Sequence, residues 1–332
     1  MESVQRRAAR RAAEQVARQL GADPGRITHL PRGSTSWVFD LPGMDTVLIV
    51  ARPGRSPADV AERVAAAGYL SGRLAFVVPV EPPISSETGL CVTVWRRVAT
   101  RPGRPDMHAL GRAVRALQEV APAGVRACGL VLPDVQQLTD VVEGIERQAL
   151  GGRLSAADAR VLLDCAERLD AQLRSIDPSA RESRVFVHGD LHLDNVLVTE
   201  NGCVLCDTDE LGLGGPHWDL AFLVDPGRSA ALSAGEREVF QAGYGGPLPD
   251  DATARTFARI GHLRRTVRLR ELSHPTPRER WWNHVRLGAW RAMATDWALD
   301  LQPAFERSRG EQVALSFRRP VRRVVGWVRL SR

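Results

Sequence analysis

Between residues 185 and 207 the chain reads as an apolar strand, a polar loop and a tight hairpin, and this succession constrains the fold more than any other stretch. Val196-Leu197-Val198 and Cys203-Val204-Leu205-Cys206 are apolar runs joined through Asn201-Gly202, a strong hairpin signal. Folding back there lays Asn195 beside Asp207, within about one residue of register. Asp190 lies one short loop upstream, in Val187-His188-Gly189-Asp190-Leu191-His192-Leu193-Asp194-Asn195. Three polar groups spread along the chain are thereby expected at one end of a rigid ribbon.

The sequence around this hairpin divides by period. Residues 3–20 place Val4, Ala8, Ala12, Val16 and Leu20 on one helical stripe with arginines opposite, and Gly21 ends it. Strands are expected at 27–30, 37–39, 46–51, 74–80 and 90–95, with turns at 33–36 and at Pro42-Gly43. A helix entered by Ser56-Pro57 is expected over 57–71. Beyond about residue 100 the spacing becomes helical, over 106–120, 134–150, 155–176, 217–225, 234–243, 251–272, 278–300 and 302–316. Ser155 with Asp158 resembles a capping box. The expected architecture is α+β and bilobal. A small β-rich lobe, 1–98, carries the leading helix 3–20, and a large, mainly helical lobe, 99–332, follows it.

Composition excludes several classes. With 332 residues, 44% apolar and 25% charged, the chain has the make-up of a folded globular protein. No apolar run is long enough to span a bilayer, and the strongest, Leu74 to Val80, is broken by Pro79. The N-terminus runs from Glu2 into arginines with no apolar segment behind them, so no secretory signal is expected and the expected compartment is the cytoplasm. Cys203 and Cys206 form a CxxC on a strand, where residues three apart face opposite sides; buried free thiols are the expectation. Every basic side chain other than histidine is arginine; there is no lysine. Residues 251–332 carry 18 Arg against 7 acidic residues, and residues 101–250 carry 14 against 23. An arginine-rich tail can meet nucleic acid or a membrane surface, but no binding motif accompanies it, and a solvated helical face is the expectation.

Asp190, Asn195 and Asp207 suit phosphoryl transfer, which is mostly positioning and charge neutralisation. Asp190 is the candidate base for the proton of an attacking hydroxyl. Asn195 and Asp207 offer an amide oxygen and a carboxylate, hard ligands that suit Mg²⁺. His188, Asp190 and His192 can also be read as an H-x-D-x-H metal cluster, but no further histidines stand at ligand spacing.

His-Gly-Asp-x-x-x-x-Asn, followed twelve residues later by Asp207 after an apolar strand, resembles the aminoglycoside phosphotransferase and choline kinase superfamily. Gly215-Pro216-His217-Trp218-Asp219-Leu220-Ala221 resembles the G-x-x-x-D-L-A segment of the same enzymes. The likeness is strong over 187–221 and weak over the N-terminal lobe. It implies a protein-kinase-like fold in which lobe 1–98 binds nucleotide and lobe 99–332 holds the catalytic and acceptor sites, with ATP or GTP as co-substrate, Mg²⁺, and a small-molecule hydroxyl acceptor. It also implies that Asp219, with His188, supports the catalytic loop. Asp207-Thr208-Asp209 lacks the Phe-Gly of protein kinases, which fits the small-molecule branch. Val50-Ala51-Arg52 stands where a strand lysine would be sought, so Arg52 is the candidate phosphate grip and Glu62 its candidate partner. Gly33 and Ser34 are candidates for a phosphate-covering turn. Trp95 and Arg97 lie where the interlobe hinge would meet the nucleobase.

The acceptor end is less legible. Asp194, Glu210, Arg268 and Trp282 are the candidates there. Arg264, Arg265 and Arg268 form a basic cluster on one helix, and Trp281, Trp282, Trp290 and Trp297 an aromatic one; a solvated face and a core stripe are their ordinary readings. The basic C-terminal region favours a neutral or anionic acceptor over a polycation. An antibiotic-like natural product is the leading acceptor class. A metabolite of choline, homoserine, amino-sugar or thioribose type is the alternative, and a nucleotide-binding module without catalysis is a further one.

Overall fold

The structure is a computed structural model, and it describes residues 2–30, 36–51, 56–127, 132–178, 183–224, 232–271 and 277–297. The N-terminal part is a five-stranded antiparallel sheet in the order β1-β2-β3-β5-β4. Its strands are β1 (Thr28–Leu30), β2 (Ser36–Leu41), β3 (Thr46–Ala51), β4 (Pro79–Ser85) and β5 (Cys91–Arg96). Helix α1 (Glu2–Gln19) lays Ala9, Ala12, Ala13, Val16 and Ala17 against Phe39, Leu41, Leu48 and Val92 of this sheet. The small alanines allow close approach, while the arginines stay on the outer stripe. Helix α2 (Pro57–Ser71) starts at Ser56, whose hydroxyl accepts from the Ala58 N–H, with Pro57 in the first turn where no N–H is needed.

The expected strand over 74–80 is displaced: β4 begins only at Pro79. Residues before it pair elsewhere, with Leu205 N–H donating to the Ala75 carbonyl and Val77 N–H to that of Leu205. β4 contains Pro79, Pro82 and Pro83, which only an edge strand tolerates, and it lies at the sheet edge with an irregular register against β5.

The remainder is mainly helical: α3 (Met107–Glu119), α4 (Pro122–Ala127), α5 (Thr139–Leu150), α6 (Ala156–Ser175), α7 (His217–Val224), α8 (Ala234–Tyr244), α9 (Asp251–Glu271) and α10 (Pro277–Thr295). α5 starts later than its periodicity suggests, because Val135 N–H bonds the Leu213 carbonyl and draws 134–136 into a bridge. Ser155 caps α6 by accepting from Asp158 N–H, as expected. The helix expected over 302–316 lies outside the described residues.

Two short ribbons sit between sheet and helices. β6 (Val185–Val187) pairs with β9 (Gly212–Gly214), and β7 (Val196–Thr199) pairs with β8 (Gly202–Leu205). One apolar cluster runs through this junction, joining Val64, Phe76 and Trp95 to Leu110, Leu197 and Leu205. Burying a side chain such as Leu205 is worth about 1.5–3 kcal/mol, so the hairpin is anchored to both parts at once. A second cluster holds α6, α7, α9 and α10 around Leu169, Trp218, Phe257 and Trp290. Trp290 belongs to that core, its Nε1 donating to Thr266 Oγ1 at 3.1 Å, and Trp297 packs beside it. Among the described residues no helix is long and apolar enough to cross a membrane, and Cys91, Cys165, Cys203 and Cys206 form no disulfide.

Candidate active site

The loop from His188 to Asp190 is held by groups that arrive from three directions. β6 delivers it, with Val187 opposite Gly212 on β9. From α7, the fully buried Asp219 carboxylate accepts from the His188 N–H at 2.6 Å and the Gly189 N–H at 2.9 Å. Trp218 Nε1 donates to the Gly189 carbonyl at 3.3 Å. His188 Nε2 donates to the Cys206 carbonyl at 2.7 Å and ties the loop to the hairpin. Gly189 has φ of 83°, and a Cβ there would lie 2.0 Å from the Glu210 carbonyl oxygen, so glycine is required twice over. Burial pushes the Asp219 carboxyl up to about 6, while the His188 charge and the two N–H bonds work in the other direction.

The hairpin sets the next two groups. Val196 pairs with Leu205 and Thr199 with Gly202, so Glu200 and Asn201 make the connection and the positive φ, 127°, falls on Gly202. Cys206 N–H donates to the Asn195 carbonyl at 3.0 Å, which places Asp207 one residue beyond Asn195's partner. Asn195 is buried, and its Nδ2 donates to the Asp190 carbonyl at 3.0 Å. That bond fixes the amide orientation and leaves Oδ1 as the remaining acceptor. Asp207 is exposed and has φ of 71°; among the described residues only Asp45 shares a positive φ without being glycine. Aspartate is one of the few residues besides glycine that adopt this conformation readily.

The donor set fits Mg²⁺. Asn195 and Asp207 supply hard oxygen atoms, and among the described residues no group of three or more His, Cys, Asp or Glu could hold a metal alone. A cation that keeps waters and takes phosphate oxygens needs only such partial protein ligation. The H-x-D-x-H alternative finds no support, since His188 Nε2 is committed to the Cys206 carbonyl and His188, Asp190 and His192 do not form a metal-holding group.

The Asp190 carboxylate opens on a cleft lined also by Glu210, Trp218 and three arginines of α9. Gly261 is what lets α9 come so near: a Cβ there would meet the Phe222 ring at 2.5 Å. The expected solvated face is corrected here. Arg265 forms an ion pair with Asp190, and Arg268 with Glu210. Arg264 reaches Asp140 at 2.5 and 3.0 Å and the Gln137 carbonyl at 2.6 Å. Arg63, which nothing in the sequence distinguished from its neighbours, extends from α2 to the Asp209 carbonyl, and Arg268 lies 3.5 Å from the same oxygen.

The structure thus brings His188, Asp190, Asn195, Asp207, Glu210, Asp219 and Arg268 together. Asp194 is exposed on the turn Leu193–Asn195. Glu62 is half-buried on α2, beside Arg63. Trp95 lies near the C-terminal end of β5 and Arg97 just past it. The Trp95 ring is buried with Nε1 on Thr93 Oγ1 at 2.7 Å, and Arg97 pairs with Asp40. The N–H groups of Arg96 and Arg97 are engaged by the Val78 and Asp45 carbonyls at 2.8 Å each. Gly33, Ser34, Arg52 and the side chain of Trp282 lie outside the described residues.

Comparison with solved structures places this arrangement. A spectinomycin phosphotransferase in complex with ADP and spectinomycin superposes with a TM-score of 0.59 at 14% identity, covering 90% of this chain and 98% of its own. An amicoumacin kinase with AMP-PNP and Ca²⁺ gives 0.61 at 18% identity, covering 89% and 96%. A choline/ethanolamine kinase family protein from Mesorhizobium loti gives 0.56 at 20% identity, covering 88% and 98%. These likenesses establish the bilobal, protein-kinase-like fold. Among curated proteins no sequence matches this chain. The model of the phosphotransferase enzyme family matches residues 27–260. With more than half of its length so matched, the chain belongs to the phosphotransferase enzyme family and is a phosphotransferase acting on a hydroxyl group.

Proposed function

We propose that the protein transfers the γ-phosphoryl group of ATP or GTP, with Mg²⁺, to a hydroxyl of a natural product, with an antibiotic as the leading acceptor class. The observation that carries this reading is the Asp219 clamp on His188 and Gly189, which holds Asp190 at the mouth of the arginine-lined cleft. Asp190 takes the proton as the hydroxyl oxygen attacks phosphorus. The bond from the γ-phosphorus to the bridging oxygen breaks, and the nucleoside diphosphate leaves. Asn195 and Asp207 would hold Mg²⁺, which supplies neutralisation of phosphate charge when bound. Arg52 is proposed to grip the phosphates in place of the absent lysine, with Glu62 orienting it and the Gly33-Ser34 turn covering them. Trp95 and Arg97 mark the proposed nucleobase edge. The enzyme would work in the cytoplasm, where triphosphates are available.

The likeness to a spectinomycin phosphotransferase and an amicoumacin kinase supports an antibiotic acceptor. The likeness to a choline/ethanolamine kinase family protein and an aminopropanol kinase favours a second reading, a metabolite kinase. Screening hydroxylated antibiotics and metabolites for the mass gain of one phosphoryl group separates the two.

Mg²⁺-dependent release of nucleoside diphosphate, with water as the acceptor, tests the reading before any acceptor is known. Asp207→Ala removes a full charge beside the metal, whereas Asn195→Ala removes a dipole. The Mg²⁺ midpoint is expected to rise about tenfold or more in Asp207→Ala, about 1.4 kcal/mol, and less in Asn195→Ala. Equal midpoints for wild type and Asp207→Ala would remove Asp207 as a metal ligand.

A further inference from the structure

If Asp190 is the base, its carboxylate has to meet the acceptor hydroxyl, yet in the structure it is held by a guanidinium. Arg265 pairs with Asp190 Oδ2, and one turn further along α9 Arg268 pairs with Glu210. Both arginine side chains are about two-thirds withdrawn from solvent, with relative exposures of 33% and 31%. A partly desolvated guanidinium that loses its carboxylate has to be given another anion or be left uncompensated. A neutral or cationic acceptor brings none of its own, which leaves only the triphosphate or water to compensate Arg265. An acceptor with its own oxyanion exchanges partners: its acidic group takes the guanidinium, and the Asp190 carboxylate turns to the hydroxyl.

The charges of the wall balance: Arg264, Arg265 and Arg268 pair with Asp140, Asp190 and Glu210, so an acceptor anion enters by exchange with a carboxylate. Gly261 holds this arginine face against α7, so the guanidinium groups are built into the wall. Planar guanidinium forks suit carboxylate and phosphate geometry better than a point charge does.

We infer that the acceptor carries a carboxylate or phosphate group near the hydroxyl that is phosphorylated, and that Arg265 and Arg268 bind this group and set the enzyme's specificity. The inference rests on the kinase reading above and narrows its acceptor class.

The test uses the full-length protein saturated with Mg²⁺ and a non-hydrolysable triphosphate, AMP-PNP or GMP-PNP. It is titrated calorimetrically with glycerol 3-phosphate, D-glycerate, glycerol and ethanolamine. The two anions are expected to bind at one site at least about tenfold more tightly than glycerol or ethanolamine. Which of the two binds tighter assigns the acidic group as phosphate or carboxylate. Arg265→Gln and Arg268→Gln should each raise the Kd of the anions about tenfold and leave the glycerol signal alone. Arg7→Gln, on the exposed face of α1, should change neither. Equal binding of the four compounds by wild type would overturn the inference, and that comparison needs no variant to fold. Anion binding undiminished in the Arg265→Gln, Arg268→Gln double variant would overturn it as well. Mg²⁺-dependent triphosphate hydrolysis, measured in parallel, tests the kinase reading separately: hydrolysis without anion preference sinks only the inference, and anion preference without hydrolysis sinks the reading and, with it, the assignment of the bound anion as an acceptor.

Discussion

Asp190→Asn is expected to lower kcat by roughly 10²–10⁴-fold, the usual loss on removing one general base, while nucleotide affinity stays close to wild type. The amide is nearly isosteric with the carboxylate but cannot take the hydroxyl proton. The substitution leaves the loop intact, because its fastenings are backbone groups: Asn195 Nδ2 bonds the Asp190 carbonyl, and Asp219 bonds the His188 and Gly189 N–H groups. The amide oxygen can still accept from Arg265, so the cleft wall keeps a partner. Single-turnover transfer and nucleotide binding by the same variant separate chemistry from affinity. A wild-type kcat in Asp190→Asn would dismiss Asp190 as the base.

Asp219→Asn is expected to be the most damaging conservative change for stability. The carboxylate accepts two backbone N–H bonds with two oxygens in a fully buried site. An amide has one oxygen, so its NH₂ must confront the N–H of His188 or Gly189. One buried donor is then left without a partner, at about 1–3 kcal/mol, and the preference of the buried site for a neutral group offsets part of that loss. Denaturant unfolding measures that loss. kcat should fall with it although Asp219 touches neither phosphate nor acceptor, because Asp190 loses its fixed position. An Asp219→Asn variant with wild-type stability would show that the clamp is not needed.

The same residue gives a pH signature. Burial raises the Asp219 carboxyl from 3.8 to about 6, so between those values the folded protein holds a proton that the unfolded chain has released. This contribution to stability is whole below about 3.8 and is lost as pH rises through about 6. Two pKa units correspond to about 3 kcal/mol. Activity should run the other way: protonated Asp219 surrenders one of its acceptor positions, so wild-type kcat falls as pH drops through about 6. In Asp219→Asn both dependences should flatten over that window. A wild-type acid limb that survives unchanged in Asp219→Asn belongs to another group.

Much of the site was legible because it is built from short-range order. The alternation of 196–206 and its glycine placed Asn195 beside Asp207 to within about one residue, and the observed register, Val196 with Leu205, sets Asn195 against Cys206 with Asp207 next along. The turn itself sits one residue earlier than the Asn201-Gly202 signal suggests, since Gly202 supplies its positive φ as the first residue of β8. α2 and α6 follow local caps, Ser56 and Ser155, and were readable to within a residue. β9 was not readable: Gly212-Leu213-Gly214 has no strand propensity, and the segment is extended only because β6 pairs with it. β4 was misplaced for a like reason, since its prolines argue against any strand and only its position at a sheet edge tolerates them.

What the sequence determined by itself is the chemistry available, a carboxylate, an amide and a second carboxylate at one end of a ribbon, because hairpin register and helix caps depend on residues close along the chain. What only the tertiary structure decided is which charges face one another. Arg265 and Arg268 lie on an arginine-rich helix whose own period does not say which stripe is covered, and Asp190 lies 75 and 78 positions before them. Their meeting depends on Gly261 letting α9 settle against Phe222, a contact between elements that no local pattern encodes. An arginine's long stem and charged head suit water and a cleft wall equally well, so its partner is set by packing and not by periodicity.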